Sequence, residues 1–238
     1  MGNGSRQDEE LAMWERAPSH VAFRASRTSI SSLIQARPEV AERIVPACPE
    51  WTVRDLLAHV VGNTRSSYRG GRSLPPIHQL GISELLDEWE LTGPAAEQTL
   101  ADKGGFNRDI LVMDLFTHEL DLRRVVEVPA PDDHPAYPTA MGVVLGGFTA
   151  SIFARGLPGL RLEADGAQWT AGWGTPKATV RAHRFDLYRS IAGRRTHQQI
   201  AQLSWSAPAD RWLPAFTWGP FNPPVQASED VIGIDDYR

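Results

Sequence analysis

Two histidines and one aspartate are the residues of this sequence whose types and spacing best suit chemistry. Asp114 and His118 are four residues apart, so a helix places them on one face, one turn apart. His59 lies in the segment Asp55-Leu-Leu-Ala-His59-Val-Val, where apolar residues surround it. Two imidazoles and a carboxylate suit zinc, and three protein ligands leave a position open for water or substrate. The pattern predicts a metal site if the two segments are facing helices of a bundle.

Structural roles explain the same residues as well. An Asp-x-x-x-His pair often stabilises an exposed helix face, and a histidine among apolar residues is often a core residue bonded to a carbonyl or a carboxylate. Asp121 follows His118 by three residues and lies near the same helical line. We expect Asp121 to accept a hydrogen bond behind the site or to pair with an arginine such as Arg124.

The elements that must position these residues are helices. Thr52 is the expected N-cap of the His59 helix, with Asp55 three residues later forming an imperfect capping box, and this helix is expected to end near the glycines at 70–71. The Asp114 helix is predicted over 110–126, with apolar residues at 110, 113, 116 and 120. Two further helices are predicted, one over 7–35 and one from Ser83 that is interrupted at Gly93-Pro94. Four amphipathic helices indicate an antiparallel bundle.

A proline-rich stretch over 129–138 reads as a linker. We therefore predict a helical domain over 1–128 and a small α+β domain over 139–238, which makes the fold class α+β. The second domain is expected to begin with an apolar helix over 137–155, followed by short alternating segments typical of strands. Helices are predicted over 185–192, ended by Gly193, and over 211–216.

Composition narrows the functional classes. The net charge of −5 argues against a nucleic-acid partner, which needs a clustered basic excess. The single cysteine, Cys48, excludes an internal disulfide, and we expect it to be structural because no neighbouring cation activates it. No secretory signal or phosphate-binding loop is recognisable, and the most apolar stretch, 141–154, is shorter than the roughly 20 residues of a membrane span. We expect a cytoplasmic protein without a membrane partner.

A resemblance to a known family sharpens this picture. The segment Val45-Pro-Ala-Cys48-Pro-Glu-Trp51-Thr-Val-Arg-Asp55-Leu-Leu-Ala-His59-Val-Val-Gly62 resembles the signature of the mycothiol-dependent maleylpyruvate isomerase family. That family has DinB-like metal-binding four-helix bundles, and Asp114-Leu-Phe-Thr-His118 resembles its later carboxylate-x-x-x-His pair. The segment 178–194 resembles the family's C-terminal domain, which is similar to sterol-carrier modules.

The resemblance implies an enzyme with a divalent metal, zinc by ligand type, held by His59, Asp114 and His118. This chain carries aspartate where the family usually has glutamate, so the metal would lie closer to the helix, or the choice of metal and its affinity would change. The implied cofactor is mycothiol, whose thiolate would add to a small electrophilic substrate, with S-transfer or cis–trans isomerisation of the maleylpyruvate type as the outcome. The alternative is a non-catalytic module that binds a metal or a small ligand on the same scaffold.

Isomerases of this family also use an arginine late in the chain. The candidates here are Arg194, Arg195 and Arg211, none of which matches the family pattern closely. This is why S-transfer to a less acidic electrophile ranks level with isomerisation.

Overall fold

The computed structural model describes residues 16–65, 67, 68, 70, 74–103, 105–164 and 166–231, and the side chains of 106 and 107 are outside that description. The chain divides into two compact units after Ala140, inside one long helix. The fold class is α+β, as predicted.

The helices of the described chain are α1 (Ser19–Ala36), α2 (Val53–Arg65), α3 (Ile82–Lys103), α4 (Phe106–Val125), α5 (Tyr137–Ala154), α6 (Arg184–Ile191) and α7 (His197–Ala201). The strands are β1 (Ile44–Val45), β2 (Cys48–Thr52), β3 (Leu160–Ala164), β4 (Ala167–Ala171), β5 (Ala178–Arg181) and β6 (Ser204–Trp205). Short 3₁₀ turns cover Pro38–Val40, Ile77–Gln79, Ala209–Arg211 and Leu213–Phe216.

Helices α1 to α4 form a bundle in the first unit. Helix α1 packs against α3 and α4, and α2 packs against the same two helices. The interior is apolar, and its largest fully buried side chains in these helices are Phe23, Ile30, Ile34, Leu56, Leu57, Leu85, Trp89 and Phe116. Ion pairs tie the helices together at the edge of this core: Arg27 bonds to Glu97 at 3.0 Å, and Arg65 bonds to Glu88 at 2.6 Å. The interior therefore holds α2 and α4 in direct contact.

Helix α2 begins with the predicted capping box. The hydroxyl of Thr52 accepts a hydrogen bond from the backbone N–H of Asp55 at 3.2 Å, and Asp55 Oδ2 accepts one from the N–H of Thr52 at 3.1 Å. The backbone hydrogen bond from Thr52 holds the pKa of Asp55 below its ordinary value, although burial opposes the change. These bonds set the start of the helix and so the face on which His59 lies.

The sequence missed the hairpin that leads into α2. Strands β1 and β2 pair antiparallel, and the hairpin contacts both α2 and α4. Strand β2 contains Pro49, and its buried and exposed residues do not alternate, so it lacks the period-2 pattern by which a strand is recognised in sequence.

Four other expectations about the first unit, one for each of its helices, are corrected. Helix α1 begins at Ser19, after Pro18, although 16–18 were expected to be helical; residues 7–15 lie outside the described residues. Helix α2 ends at Arg65, before the predicted glycines.

Helix α3 runs through Pro94 without a break. A proline inside a helix removes one hydrogen bond, and its ring crowds the carbonyl four residues earlier; the packing of α3 against two other helices offsets this penalty. On α4, Ile110 is 42% exposed, so the apolar stripe begins at Met113 rather than at Ile110.

The second unit is a small α+β fold. Its sheet has the strand order β4-β3-β5-β6, with β3 and β5 parallel and the other pairs antiparallel. Helix α6 packs against β3 and is followed by Gly193 at φ +68°, a left-handed conformation that glycine adopts readily. The predicted helix over 211–216 is instead a pair of 3₁₀ turns, and β6 and α7 were not predicted.

Helix α5 has 18 residues and is the one described helix apolar enough, by length and composition, to cross a membrane. Half of it is buried inside the protein, which is also the pattern of a core helix.

Two glycines in the bundle should respond oppositely to alanine. A Cβ on Gly93 would lie 2.7 Å from Cδ of Arg27, which is held by its ion pairs, whereas a Cβ on Gly62 would make an ordinary contact at 3.5 Å with Ile77. Alanine gains about 1 kcal/mol in helix propensity at either position, but the clash at Gly93 costs about 1–3 kcal/mol. Gly62→Ala should therefore raise the free energy of unfolding in urea, and Gly93→Ala should lower it. Equal effects would contradict the packing at Arg27.

The capping box predicts a pH dependence. Because the pKa of Asp55 is lowered in the folded state, its contribution to stability is present above its unfolded pKa of about 3.9 and is lost as pH falls through the folded pKa. Asp55→Asn should thus destabilise the protein by about 0.5–1 kcal/mol at pH 7. The difference from the unsubstituted protein should shrink below pH ~4 in urea titrations at each pH. A difference that grows on acidification would be inconsistent with this cap.

Candidate metal centre

The facing helices bring His59 together with Asp114 and His118. Nε2 of His59, on α2, lies 3.3 Å from Oδ2 of Asp114, and Nε2 of His118 lies 3.6 Å from Oδ1 of the same carboxylate. The two imidazole rings meet edge to face with centroids 5.0 Å apart. One ligand-type atom from each residue therefore lies within 4.8 Å of the other two.

These separations fit a shared ion. Nitrogen and oxygen ligands about 2.0–2.1 Å from zinc at tetrahedral angles lie about 3.3–3.4 Å apart. The distances between Asp114 and the two imidazoles are close to that value and longer than usual for strong charge-assisted hydrogen bonds. The donor set, two imidazoles and one carboxylate, is also one that zinc accepts. The residues thus fit a divalent metal in both geometry and chemistry.

Asp121 lies behind His118, away from the other two residues of the cluster. Its carboxylate is almost fully buried, and Oδ2 lies 3.2 Å from Nδ1 of His118. A carboxylate beside Nδ1 favours the tautomer that carries its proton there, which leaves the lone pair of Nε2 on the side of Asp114. Metal-binding histidines usually have such a partner on the second nitrogen.

Asn63 supports the carboxylate from the next turn of α2. Its side-chain amide donates to Oδ2 of Asp114 at 2.9 Å and lies 3.2 Å from Nε2 of His59. Burial tends to raise the pKa of Asp114, but the bonds from His59 and Asn63 and the neighbouring imidazoles outweigh it, so the net pKa is lowered. Asn63 was missed by the sequence analysis, although its spacing of four residues from His59 is a helical-face signal.

The hairpin contributes two further side chains to the cluster. The indole of Trp51 lies 4.9 Å from the ring of His59 and 5.6 Å from that of His118, between centroids. The thiol of Cys48 lies 3.9 Å from Oδ2 of Asp121, so it forms a second group of ligand-type atoms with His118 and Asp121. Neither contact is visible in sequence, because the hairpin reaches α4 only through tertiary packing.

The opposite side of α4 carries a separate polar network. Glu119 is fully buried and bonds to Ser29 at 2.6 Å, Arg123 at 2.8 Å and His134 at 3.0 Å. Burial raises its pKa, but the bond from His134 and the other partners outweigh this and lower it. This network fixes α4 on the side opposite to the candidate metal centre.

The three arginines proposed for catalysis lie in the second unit. Arg195 is buried and is paired with Asp186 at 2.7 Å and with Glu229. Arg194 is half-buried and donates to the carbonyl of Ala192 at 2.9 Å. Arg211 is exposed, and its guanidinium lies 5.6 Å from the centroid of the Trp212 ring. Their assignment as catalytic residues stays a prediction.

One known family model matches part of the first unit. Residues 23–69 match the family model described as the mycothiol maleylpyruvate isomerase N-terminal domain. The matched segment spans 47 of the 238 residues. It contains α2 with His59 and the hairpin with Trp51, so the resemblance drawn from the sequence motif is confirmed.

A solved structure extends the likeness to most of the chain. The fold is similar to the crystal structure of a histidine-to-alanine mutant of the mycothiol-dependent maleylpyruvate isomerase, with a TM-score of 0.54 and 14% sequence identity. The match covers 80% of this chain and 92% of that chain, which shows a shared fold. A search of curated proteins finds no significant match.

The geometry separates the roles of two aspartates. Asp114→Ala removes a carboxylate that approaches both imidazoles, so it should lower metal content from about one ion per chain to near zero. Asp121→Asn leaves all three ligand-type residues in place and should weaken metal affinity by about 10–100-fold while retaining the stoichiometry at saturation. Elemental analysis and competition with a chelator measure both quantities on protein without a histidine tag.

The matched control is Asp102→Asn, an exposed aspartate on α3, which should leave metal content and affinity unchanged. An empty site in Asp121→Asn together with full occupancy in Asp114→Ala would reverse the assignment.

Proposed function

We propose that this chain is a metal-dependent, mycothiol-dependent enzyme that acts on a small electrophilic substrate. The observation that carries the proposal is the convergence of His59, Asp114 and His118: the carboxylate lies 3.3 Å and 3.6 Å from the two imidazole nitrogens, and one ligand-type atom of each residue lies within 4.8 Å of the others. The domain family of residues 23–69 bears the name of mycothiol in its description, which supports the choice of thiol.

Zinc is the proposed metal, because two imidazoles and one carboxylate are among its usual ligands. When bound, a divalent ion with one anionic protein ligand would keep net positive charge and would lower the pKa of a thiol so that it is thiolate at neutral pH.

Asp121, Asn63 and Trp51 contact the three side chains that would hold the metal. The carboxylate of Asp121, 3.2 Å from Nδ1 of His118, favours a proton on that nitrogen and so leaves the lone pair of Nε2 for a metal. Asn63 donates a hydrogen bond to the carboxylate of Asp114, and the indole of Trp51 packs beside both imidazole rings. Each of these groups acts on a ligand-type side chain rather than on a substrate.

Two outcomes are open to a thiolate that adds to an electrophilic carbon. Expulsion of the thiol after bond rotation gives cis–trans isomerisation, and retention gives S-transfer. Isomerisation of a maleylpyruvate-type substrate needs a cation for its carboxylate, and Arg194, Arg195 and Arg211 are the proposed candidates.

The ion pairs of Arg195 with Asp186 and Glu229 already neutralise its charge, which leaves S-transfer level with isomerisation. We place the enzyme in the cytoplasm, with the thiol and the substrate as its partners.

The proposal predicts thiol-dependent turnover that requires His59. Metal-loaded protein incubated with mycothiol and a panel of electrophiles should consume thiol or isomerise the substrate, and His59→Ala should abolish this activity by removing one of the three donors. Thiol loss and geometric isomerisation are followed in parallel. His197→Ala, at an exposed histidine of the second unit, should retain full activity.

Cobalt-substituted protein provides a second readout, because binding of a thiolate changes the visible spectrum of cobalt. Absence of turnover on every electrophile, with no spectral change on adding mycothiol, would favour the non-catalytic binding module instead.

A further inference from the structure

A cavity of about 340 Å³ lies beside His59 in the first unit. Besides His59 and Ala58, it is lined by Glu50, Trp51, Arg54, Asp55, Ile77 and His78. These residues come from the end of the hairpin, the first turns of α2 and the 3₁₀ turn before α3. The volume is within the range of small-molecule sites, at its lower end.

The lining mixes hydrogen-bond acceptors and donors around one aromatic ring. Glu50 and Asp55 present carboxylate oxygens, Arg54 presents N–H groups, and Trp51 presents an apolar indole. Hydroxyl groups both donate and accept, so a ring that carries several hydroxyls can use groups of both kinds. The indole can pack against the C–H groups of such a ring.

The side chains that line the cavity carry little net charge. Glu50, Arg54 and Asp55 give a formal charge of −1 when the imidazoles are neutral, and Asp55 already pairs with Arg54 at 3.3 Å, so the unbalanced charge is that of the exposed Glu50. A carboxylate placed beside Glu50 would meet repulsion, whereas hydroxyl groups can donate hydrogen bonds to it. The part of the cavity lined by Glu50 therefore suits the hydroxyl-rich part of a ligand better than an acidic group.

Arg54 is held in place before any ligand binds. One N–H group of its guanidinium donates to the carbonyl of Leu80 at 3.3 Å, and Nη2 lies 3.3 Å from Oδ1 of Asp55. Asp55 is itself fixed by Thr52 through its other oxygen, at 2.8 Å from the hydroxyl. A guanidinium has five N–H donors, so these contacts leave donors for a ligand at little cost in side-chain entropy.

Trp51 borders both this cavity and the candidate metal centre. The same indole lines the cavity and lies against the rings of His59 and His118. A ligand whose sulfur lies at His59, Asp114 and His118 and whose hydroxyl-rich ring lies in the cavity would contact the indole of Trp51 with the part that joins the two.

We propose that this cavity is the subsite for the hydroxyl-rich, uncharged part of the thiol, with Glu50 and Arg54 as its specificity-determining residues. The proposal rests on the proposed function for the identity of the thiol. It assigns recognition of the thiol to residues of the hairpin and the start of α2, separately from the groups that would hold the metal.

The test uses two halves of mycothiol as separate probes. N-Acetylglucosaminyl-inositol carries the hydroxyl groups without sulfur, and N-acetylcysteine N-methylamide carries the thiol without the hydroxyl groups. Titration of isotopically labelled, metal-loaded full chain with the sulfur-free probe should shift the indole N–H signal of Trp51 saturably. Glu50→Ala and Arg54→Gln should each weaken this binding about tenfold or more, because each removes hydrogen bonds to a charged group.

Two controls show whether a loss of binding comes from the cavity itself, from the candidate metal centre or from misfolding of the variant. Glu39→Ala removes an exposed glutamate that does not line the cavity and should leave the dissociation constant unchanged. Glu50→Ala should also leave unchanged the cobalt spectrum obtained with N-acetylcysteine N-methylamide, because this probe lacks the part that the cavity recognises.

The outcomes distinguish this inference from the proposed function. If the sulfur-containing probe changes the cobalt spectrum but the sulfur-free probe does not bind, the subsite is overturned and the proposed function stands. If the sulfur-free probe binds and Glu50→Ala weakens it while neither thiol affects cobalt, the cavity is supported and the thiol chemistry fails. Metal-free protein, in which maleate has no ion to bind, gives the third outcome: a Trp51 shift that saturates at a lower concentration of maleate than of the sulfur-free probe would overturn the subsite in favour of an anion site.

Discussion

Contact between α2 and α4 is the constraint on which the candidate metal centre depends. His59 comes from one helix, and Asp114 and His118 come from the other, so the 3.3 Å approach of His59 to Asp114 exists only while the helices stay packed. Helix α2 has 13 residues, a length that is marginal for an isolated helix in water. Its stability must therefore come from packing of its apolar residues, from the capping box at its start and from the pair of Arg65 with Glu88 near its end.

Helix α4 carries buried ionisable side chains that need partners. His118 and Asp121 are buried on one side of this helix, and Glu119 is buried on the other. Burial of ionisable groups is unfavourable unless each finds a partner. Here His118 has a carboxylate on each side, and Glu119 has a hydroxyl, a guanidinium and an imidazole. The polar residues of α4 thus form two networks with distinct roles, one at the ligand cluster and one that anchors the helix.

The aspartate at position 114 has a short side chain, yet its carboxylate reaches both imidazoles. The family resemblance leads to an expectation of glutamate here, with a longer reach. In this protein the shorter carboxylate still lies within 3.3–3.6 Å of Nε2 of both imidazoles, and Asn63 orients it from α2. The arrangement is compatible with a metal that lies nearer to α4 than a glutamate would place it.

The sequence alone determined the local features of this protein. Spacing of 3.6 residues per turn put Asp114 and His118 on one face of α4, and the Thr52-Asp55 pair marked the start of α2, because both are properties of neighbouring residues. The helical first part and the α+β second part followed from periodicity in the same way. Tertiary structure decided what no local pattern contains: the approach of His59 to Asp114, the contact of Cys48 with Asp121, and the approach of the Trp51 indole to His118. These contacts join residues far apart in the chain, and their geometry is set by how the helices and the hairpin pack rather than by the propensity of any one segment.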